Sequence, residues 1–203
     1  MSDEYAVFVE GLQELDLLAL EPQIERRAMM AINKTAEWAR VRTKDELKRK
    51  YNFPGNYLDP RTGRLEVSKK AVTSDLEAVI KARSRATSLT RFMVGHSPLK
   101  GKGGIGDVSV SIIKGKTKTI KKAILLRLNN NNVGFAIRTK DGMKPGPRGD
   151  SKGAYAPKQM RNGLWLLYGP SVDQAFRFTR DLTATQAEVY LADEFTRLQE
   201  AGI

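Results

Sequence analysis

From Pro22 to about Lys50 the apolar residues recur at one period, and this span constrains the fold more than any other part of the chain. Ile24, Ala28, Ala31, Thr35 and Trp38 fall at helical spacing, and Met29, Ile32, Ala36 and Ala39 widen the stripe. Pro22 suits the first turn of a helix, where its missing N–H leaves no bond unmade. The helix is expected to stop before Tyr51-Asn52-Phe53-Pro54-Gly55, because a residue preceding proline avoids the α region. Its small residues Ala28, Ala31, Ala36 and Ala39 would let another backbone approach closely. Arg26, Arg27, Lys34, Arg40 and Arg42 are expected on the opposite, solvent-facing side.

After this helix the period changes. Asn52 to Arg64 is rich in Pro, Gly and Asn and reads as a loop. Ser74 with Glu77 three residues on has the form of a capping box, which predicts a short helix. Alternation at period two then marks strands at Asp107–Ile113, Lys122–Leu128 and Val133–Arg138, with Asn129–Asn132 as a hairpin tip. An earlier strand is expected around Arg91–Val94. Thr139–Lys158 is a Gly/Pro/Lys segment without periodicity, expected to be a mobile loop that a neighbour orders. Leu164–Tyr168 is a last strand, and Ser171 with Gln174 caps a C-terminal helix over about 171–200, kinked near Thr183.

These elements predict an α+β fold: an antiparallel β-meander within about 91–168, packed with the helix of about 22–50 and the C-terminal helix. At 203 residues, one domain over 1–203 is the default and two small ones are the alternative.

The net charge of +12 is unevenly placed. Between Lys81 and Lys122 stand eleven Lys or Arg against one acid, Asp107, whereas Asp173–Glu200 carries six acids against three bases. A basic middle and an acidic tail suggest two partners of opposite charge, the first a polyanion such as nucleic acid. Within the basic stretch, Lys114, Lys116, Lys118, Lys121 and Lys122 flank strands. They either protect a sheet edge from aggregation or touch phosphates without reading sequence, since few aromatics are interleaved for base stacking.

Enzyme chemistry finds little footing. With no cysteine there is no disulfide, thiolate nucleophile or Cys-ligated metal, and the single histidine, His96, rules out a His-rich metal site. His96 reads as an ordinary loop residue. Gly101-Lys-Gly103-Gly-Ile-Gly106 matches a dinucleotide fingerprint by letter, but a strand follows where a helix N-terminus is needed. Gly115-Lys116-Thr117 ends like a phosphate loop, yet Val110 stands where its first glycine belongs. Asp45/Glu46 and Asp193/Glu194 are helix neighbours that point apart. No catalytic residue, cofactor or metal is expected. No run of about 18 apolar residues suggests a membrane span, and the acidic Met1–Tyr5 is unlike a signal peptide. Trp165 and Tyr168 read either as core aromatics or as anchors of a subunit interface, a role that Ala31 and Trp38 could share.

Two stretches resemble a known family. Met30-Ala31-Ile32-Asn33-Lys34-Thr35-Ala36, followed by Ala39-Arg40, is similar to the first helix of the minor tail protein Z family, the tail-completion proteins of long-tailed bacteriophages. Asn162-Gly163-Leu164-Trp165-Leu166-Leu167-Tyr168-Gly169-Pro170-Ser171-Val172 resembles that family's late segment. The resemblance implies a non-catalytic protein of the virion tail or neck, assembled in the host cytoplasm. It also implies a homo-oligomeric ring around the DNA path. The implied partners are the tail terminator, the head–tail connector and the tail tube, with nonspecific contact to viral DNA. The alternative is a stand-alone, sequence-nonspecific nucleic-acid-binding protein.

Overall fold

The computed structural model describes residues 6–8, 22–95, 104–128, 131–139, 157–160 and 163–202. The fold is α+β. Its contacts divide the chain into two units: Met1–Leu47 with Asn56–Ser84 and Ala175–Ile203, and Lys48–Gly55 with Arg85–Gln174.

The first unit is built on helix α1, Pro22–Lys50, whose last turn, Lys48–Lys50, belongs to the second unit. The expected bounds hold. Ala28, Ala31, Ile32, Thr35, Ala36 and Ala39 are all buried, so the small-residue stripe is interior. Ile32 and Ala36 pack with Ala71 and Ala78, and Met29, Val67, Leu76 and Leu191 close over them. Asn33 pins the neighbouring hairpin by accepting from the Ala71 N–H at 2.8 Å and donating to its carbonyl at 2.9 Å. One residue departs from the expected solvent face. Arg40 is buried, and its Nε donates to the exposed Glu37 one turn back at 2.8 Å.

That hairpin joins strand β2, Leu65–Lys69, to β3, Val79–Ala82, and a short strand β1, Ala6–Phe8, lies along the other edge of β3; both pairings are antiparallel. The short helix expected at Ser74 is absent. Val72 and Asp75 instead exchange two backbone bonds of 2.9 Å across a tight turn. Glu77, which would have closed the capping box, pairs with Lys69, as does Asp75 at 2.7 Å. The Lys69 ammonium thus bridges two carboxylates that a capping box would have used or flanked.

The C-terminal helix is broken, but not at Thr183. Helix α2, Val172–Arg177, ends where the Thr179 N–H and hydroxyl both donate to the Phe176 carbonyl, at 2.8 and 3.0 Å. Helix α3, Arg180–Glu200, starts there. Thr183 only bonds back to the Thr179 carbonyl at 3.1 Å, which leaves the helix continuous. The predicted cap at Ser171 forms: its Oγ accepts from the Gln174 N–H and Gln174 Oε1 accepts from the Ser171 N–H, both at 3.0 Å.

Glu194 on α3 is the main polar tie of the first unit. Its buried carboxylate accepts from Arg197 at 2.6 and 3.1 Å and from Lys34 at 2.9 Å. The Arg197 hydrogen bonds, helped by Lys34 and opposed by burial, hold its pKa down to about 2 from 4.5. A depressed carboxyl contributes stability that is complete above its unfolded pKa and lost as pH falls through the folded one. Urea melts of the wild type should therefore lose stability between about pH 4.5 and 2. In Glu194→Gln that acid loss should be smaller, and stability at pH 7 lower by about 1–3 kcal/mol.

The second unit is an antiparallel sheet in the order β4–β9–β7–β6–β5, with β8 paired to β9. Its strands are β4 Thr87–Ser88, β5 Ile105–Val110, β6 Lys118–Arg127, β7 Val133–Arg138, β8 Lys158–Gln159 and β9 Leu164–Gly169. The expected meander is β5–β6–β7, and the β6–β7 hairpin turns where expected, with the Leu128 N–H donating to the Asn132 carbonyl at 2.8 Å. Val108, Val110, Ala123, Phe135, Ala136, Trp165 and Leu166 form the buried positions. The strand expected at Arg91–Val94 is a 3-10 turn, Leu89–Phe92, followed by one bridge from Met93 to Val110. Phe92 is needed as a buried wedge, and a 3-10 turn aims its ring inward. Sequence patterning missed β4 and β8 in this sheet, each only two residues long and too short to show a period, and it missed β1, β2 and β3 of the first unit.

Residues 140–156 of the expected loop lie outside the described residues, as do Met1–Tyr5, His96, Gly101–Gly103, Asn129–Asn130 and Asn162. The end of that loop is a strand, since Lys158 pairs with Leu166.

Candidate nucleic-acid interface

The basic stretch folds around the β5–β6 connection. After Val110 the chain leaves the sheet, and Ile113–Lys116 forms a turn in which the Lys116 N–H donates to the Ile113 carbonyl at 3.0 Å. Gly115 sits at φ 75° in the third position, where the left-handed conformation favours glycine. The same Gly-Lys-Thr letters therefore belong to the connection between two strands.

This turn is tied to the end of α1. The Lys114 N–H donates to the Lys50 carbonyl at 3.0 Å, and the Asn52 N–H donates to the Ile112 carbonyl at 2.9 Å. Tyr51 and Ile113 form an antiparallel bridge. The Asn52 amide donates to the Ser111 carbonyl at 3.0 Å and hydroxyl at 2.7 Å. Lys48, Arg49 and Lys50 are thereby held beside Lys114, Lys116 and Lys118. Sequence reasoning missed this pairing because more than sixty residues separate the two basic clusters along the chain. The only available signal was the concentration of bases in the last helical turn, where the negative end of the dipole favours cations.

Lys121 and Lys122 reach solvent through a bulge. Val108 pairs with Ile120 and Gly106 with Ala123, so two residues on β6 face Asp107 alone. Lys122 takes φ 53°, and its N–H donates to Asp107 Oδ1 at 3.0 Å. A flat strand would have sent these two side chains to opposite faces; both are exposed. A non-glycine residue in this conformation is strained by about 1–2 kcal/mol, part of which glycine would return as chain entropy. Lys122→Gly should thus stabilise the second unit by about 0.5–1 kcal/mol, read as a higher urea midpoint at unchanged slope.

All five lysines, Lys114, Lys116, Lys118, Lys121 and Lys122, are exposed, and among the described residues none of their ammonium groups meets a carboxylate. In the first unit, by contrast, Lys34, Lys44 and Lys69 are each paired with an acid. Beside the turn lies an open hollow of about 450 Å³ lined by Asn52, Arg91, Phe92, Val94, Ser111 and Thr117. Its aromatic, Phe92, is buried, as is Tyr51, so neither ring offers a face for base stacking. Among the described residues of this surface there is charge that would attract phosphates and no exposed ring on which a base would stack.

The candidate interface residues divide. Ala31 is wholly buried and Trp165 is 8 % exposed, so both are spent inside the chain and offer no surface to another subunit. Interior packing took them because each sits at the centre of its buried stripe. Trp165 Nε1 is buried with no hydrogen-bond partner among the described residues. Trp38 is half-buried, stacked on Tyr190 at 4.7 Å with the Arg42 guanidinium 5.3 Å from its centroid. Tyr168 is half-buried on β9, opposite Ser88.

Among the described residues no group of three or more His, Asp or Glu could hold a metal ion, and no helix is long and apolar enough to cross a membrane. No protein-family model, curated protein or solved structure matches the chain.

Proposed function

We propose that this chain is a structural tail-completion protein of a long-tailed bacteriophage, acting by contact at the tail end or neck around the DNA path. The observation that carries the DNA-facing half is the lysine ridge of β5–β6, exposed and, among the described residues, without carboxylate partners. Such a surface lowers the cost of bringing phosphates close and is blind to sequence. The tail-specific half rests on the two resembling stretches, Met30–Ala36 and Asn162–Val172. In this reading the chain has no catalytic role, works in the virion after assembly in the host cytoplasm, and forms a ring with tail terminator, connector and tube as neighbours.

A second reading draws on the same ridge: a stand-alone protein that binds nucleic acid without sequence preference. Sedimentation with and without the other tail proteins separates the two. A ring or co-assembly supports tail completion, whereas a monomer that stays monomeric and binds free DNA with a steep salt slope supports the alternative. The biological test is complementation of a phage lacking the protein, scored as infectious particles. Normal completion by a variant with Lys114, Lys116 and Lys118 all changed to Gln would remove the DNA-facing half of the proposal.

A further inference from the structure

Helix α3 buries one face and leaves apolar side chains exposed on the other. Thr183, Ala187, Glu194 and Leu198 are buried. On the opposite side Leu182 is 54 % and Val189 60 % exposed, and Phe178, just before the helix, is 72 % exposed. Exposed large apolar side chains scattered singly mean little, but aligned ones mark a contact surface. These are aligned. Within the helix, residues 182, 185, 189, 192 and 196 follow one another at intervals of three and four, the seam of a heptad repeat, and read Leu, Thr, Val, Ala, Thr. Thr185, Ala192 and Thr196 are exposed as well. At 1.5 Å per residue the seam is about 21 Å long.

The positions flanking a heptad seam choose the partner. Here they hold Asp181, Glu188, Asp193 and Glu200, all exposed and all acidic, with Gln186 and Phe195 the other two. Two copies of this helix would set acid against acid, in parallel or antiparallel alignment, which disfavours self-pairing. Helix α1 of a second copy fits no better: its exposed side carries Val41 as the sole large apolar residue among its described positions.

We propose that the outward face of α3 is a docking seam for an amphipathic helix of another protein, with an apolar stripe flanked by Lys or Arg. The apolar seam supplies contact area, and the acidic flanks select a basic partner and its register. This inference stands apart from the lysine ridge, which lies in the other unit and carries the opposite charge.

The test uses the full chain and two labelled synthetic helices of four heptads. Both have Leu at the seam positions; one has Lys at the flanks and the other Glu. Fluorescence anisotropy should show the Lys-flanked helix binding at least tenfold more tightly than its twin. Leu182→Ser with Val189→Ser should weaken that binding at least tenfold while leaving the melting temperature in place. Glu188→Lys with Asp193→Lys should reverse the preference between the two helices. Equal binding of both helices, binding of neither, or indifference to the double serine variant would overturn the proposal. So would a self-associated chain that the serine variant dissolves, since the occupant would then be a second copy, or a fall in melting temperature, since the seam would then be interior.

Discussion

Replacing Lys114, Lys116 and Lys118 together with Gln is expected to leave folding intact and to weaken binding to duplex DNA of every sequence alike. The side chains are exposed and make no ion pair among the described residues, so their charge contributes nothing measurable to the fold. Turn and strand geometry rests on backbone bonds and Gly115, which the substitutions do not touch. Each phosphate contact releases counterions and adds about 0.9 to the slope of log affinity against log salt. Three lost contacts would flatten the slope by up to about 2.7, and in 0.1 M salt reduce affinity by up to about 500-fold. Lysine contacts phosphate as a flexible point charge, so no base should be favoured before or after the change. Titrations at several salt concentrations on two unrelated duplexes decide the matter. An unchanged slope would mean that the ridge serves only solubility or edge protection.

The largest effect on stability should come from Gly169→Ala. Gly169 closes strand β9, where it pairs with Thr87 of β4. A Cβ built on it would lie 2.4 and 2.8 Å from two atoms of the Phe92 ring, closer than real carbon contacts come. Phe92 is 2 % exposed and forms a tilted aromatic pair with Phe53 at 5.5 Å, so it has nowhere to retreat. Overpacking of this kind costs about 1–3 kcal/mol, occasionally more. In a chain of this size about 3 kcal/mol lowers the melting temperature by roughly 6–12 °C. Calorimetry of the variant checks this. The companion change Gly169→Ala with Phe92→Leu should recover part of the loss, because the smaller side chain vacates the space that the new methyl needs. No recovery would place the cost in the backbone instead of the ring contact.

Elements whose reason is local were legible from the residues alone. Helix α1 runs from Pro22 to Lys50 as its period and flanking prolines require, and the Ser171–Gln174 box closes with both of its bonds, since each lies within one turn of chain. The strands β5, β6 and β7 showed in the alternation of their residues, and β9 as a short apolar run bounded by Gly169-Pro170. The basic character of the middle of the chain was equally plain, being a matter of counting charges. Other outcomes depended on groups distant in sequence. Ser74 and Glu77 formed no helix: the segment is the turn of the β2–β3 hairpin, where Asp75 and Glu77 pair with Lys69. Arg40 went inside although helical period placed it on the basic face, because packing against the rest of the fold decides how much of a helix is covered. The candidate interface became a single surface only when the Lys50 carbonyl met the Lys114 N–H, bringing the end of α1 beside the β5–β6 turn. Local pattern thus determined which segments became helix or strand and where charge concentrated. Which charges are neutralised and which stay bare was decided by long-range pairing, because an ion pair depends on distance in space and a residue's sequence neighbours do not specify it.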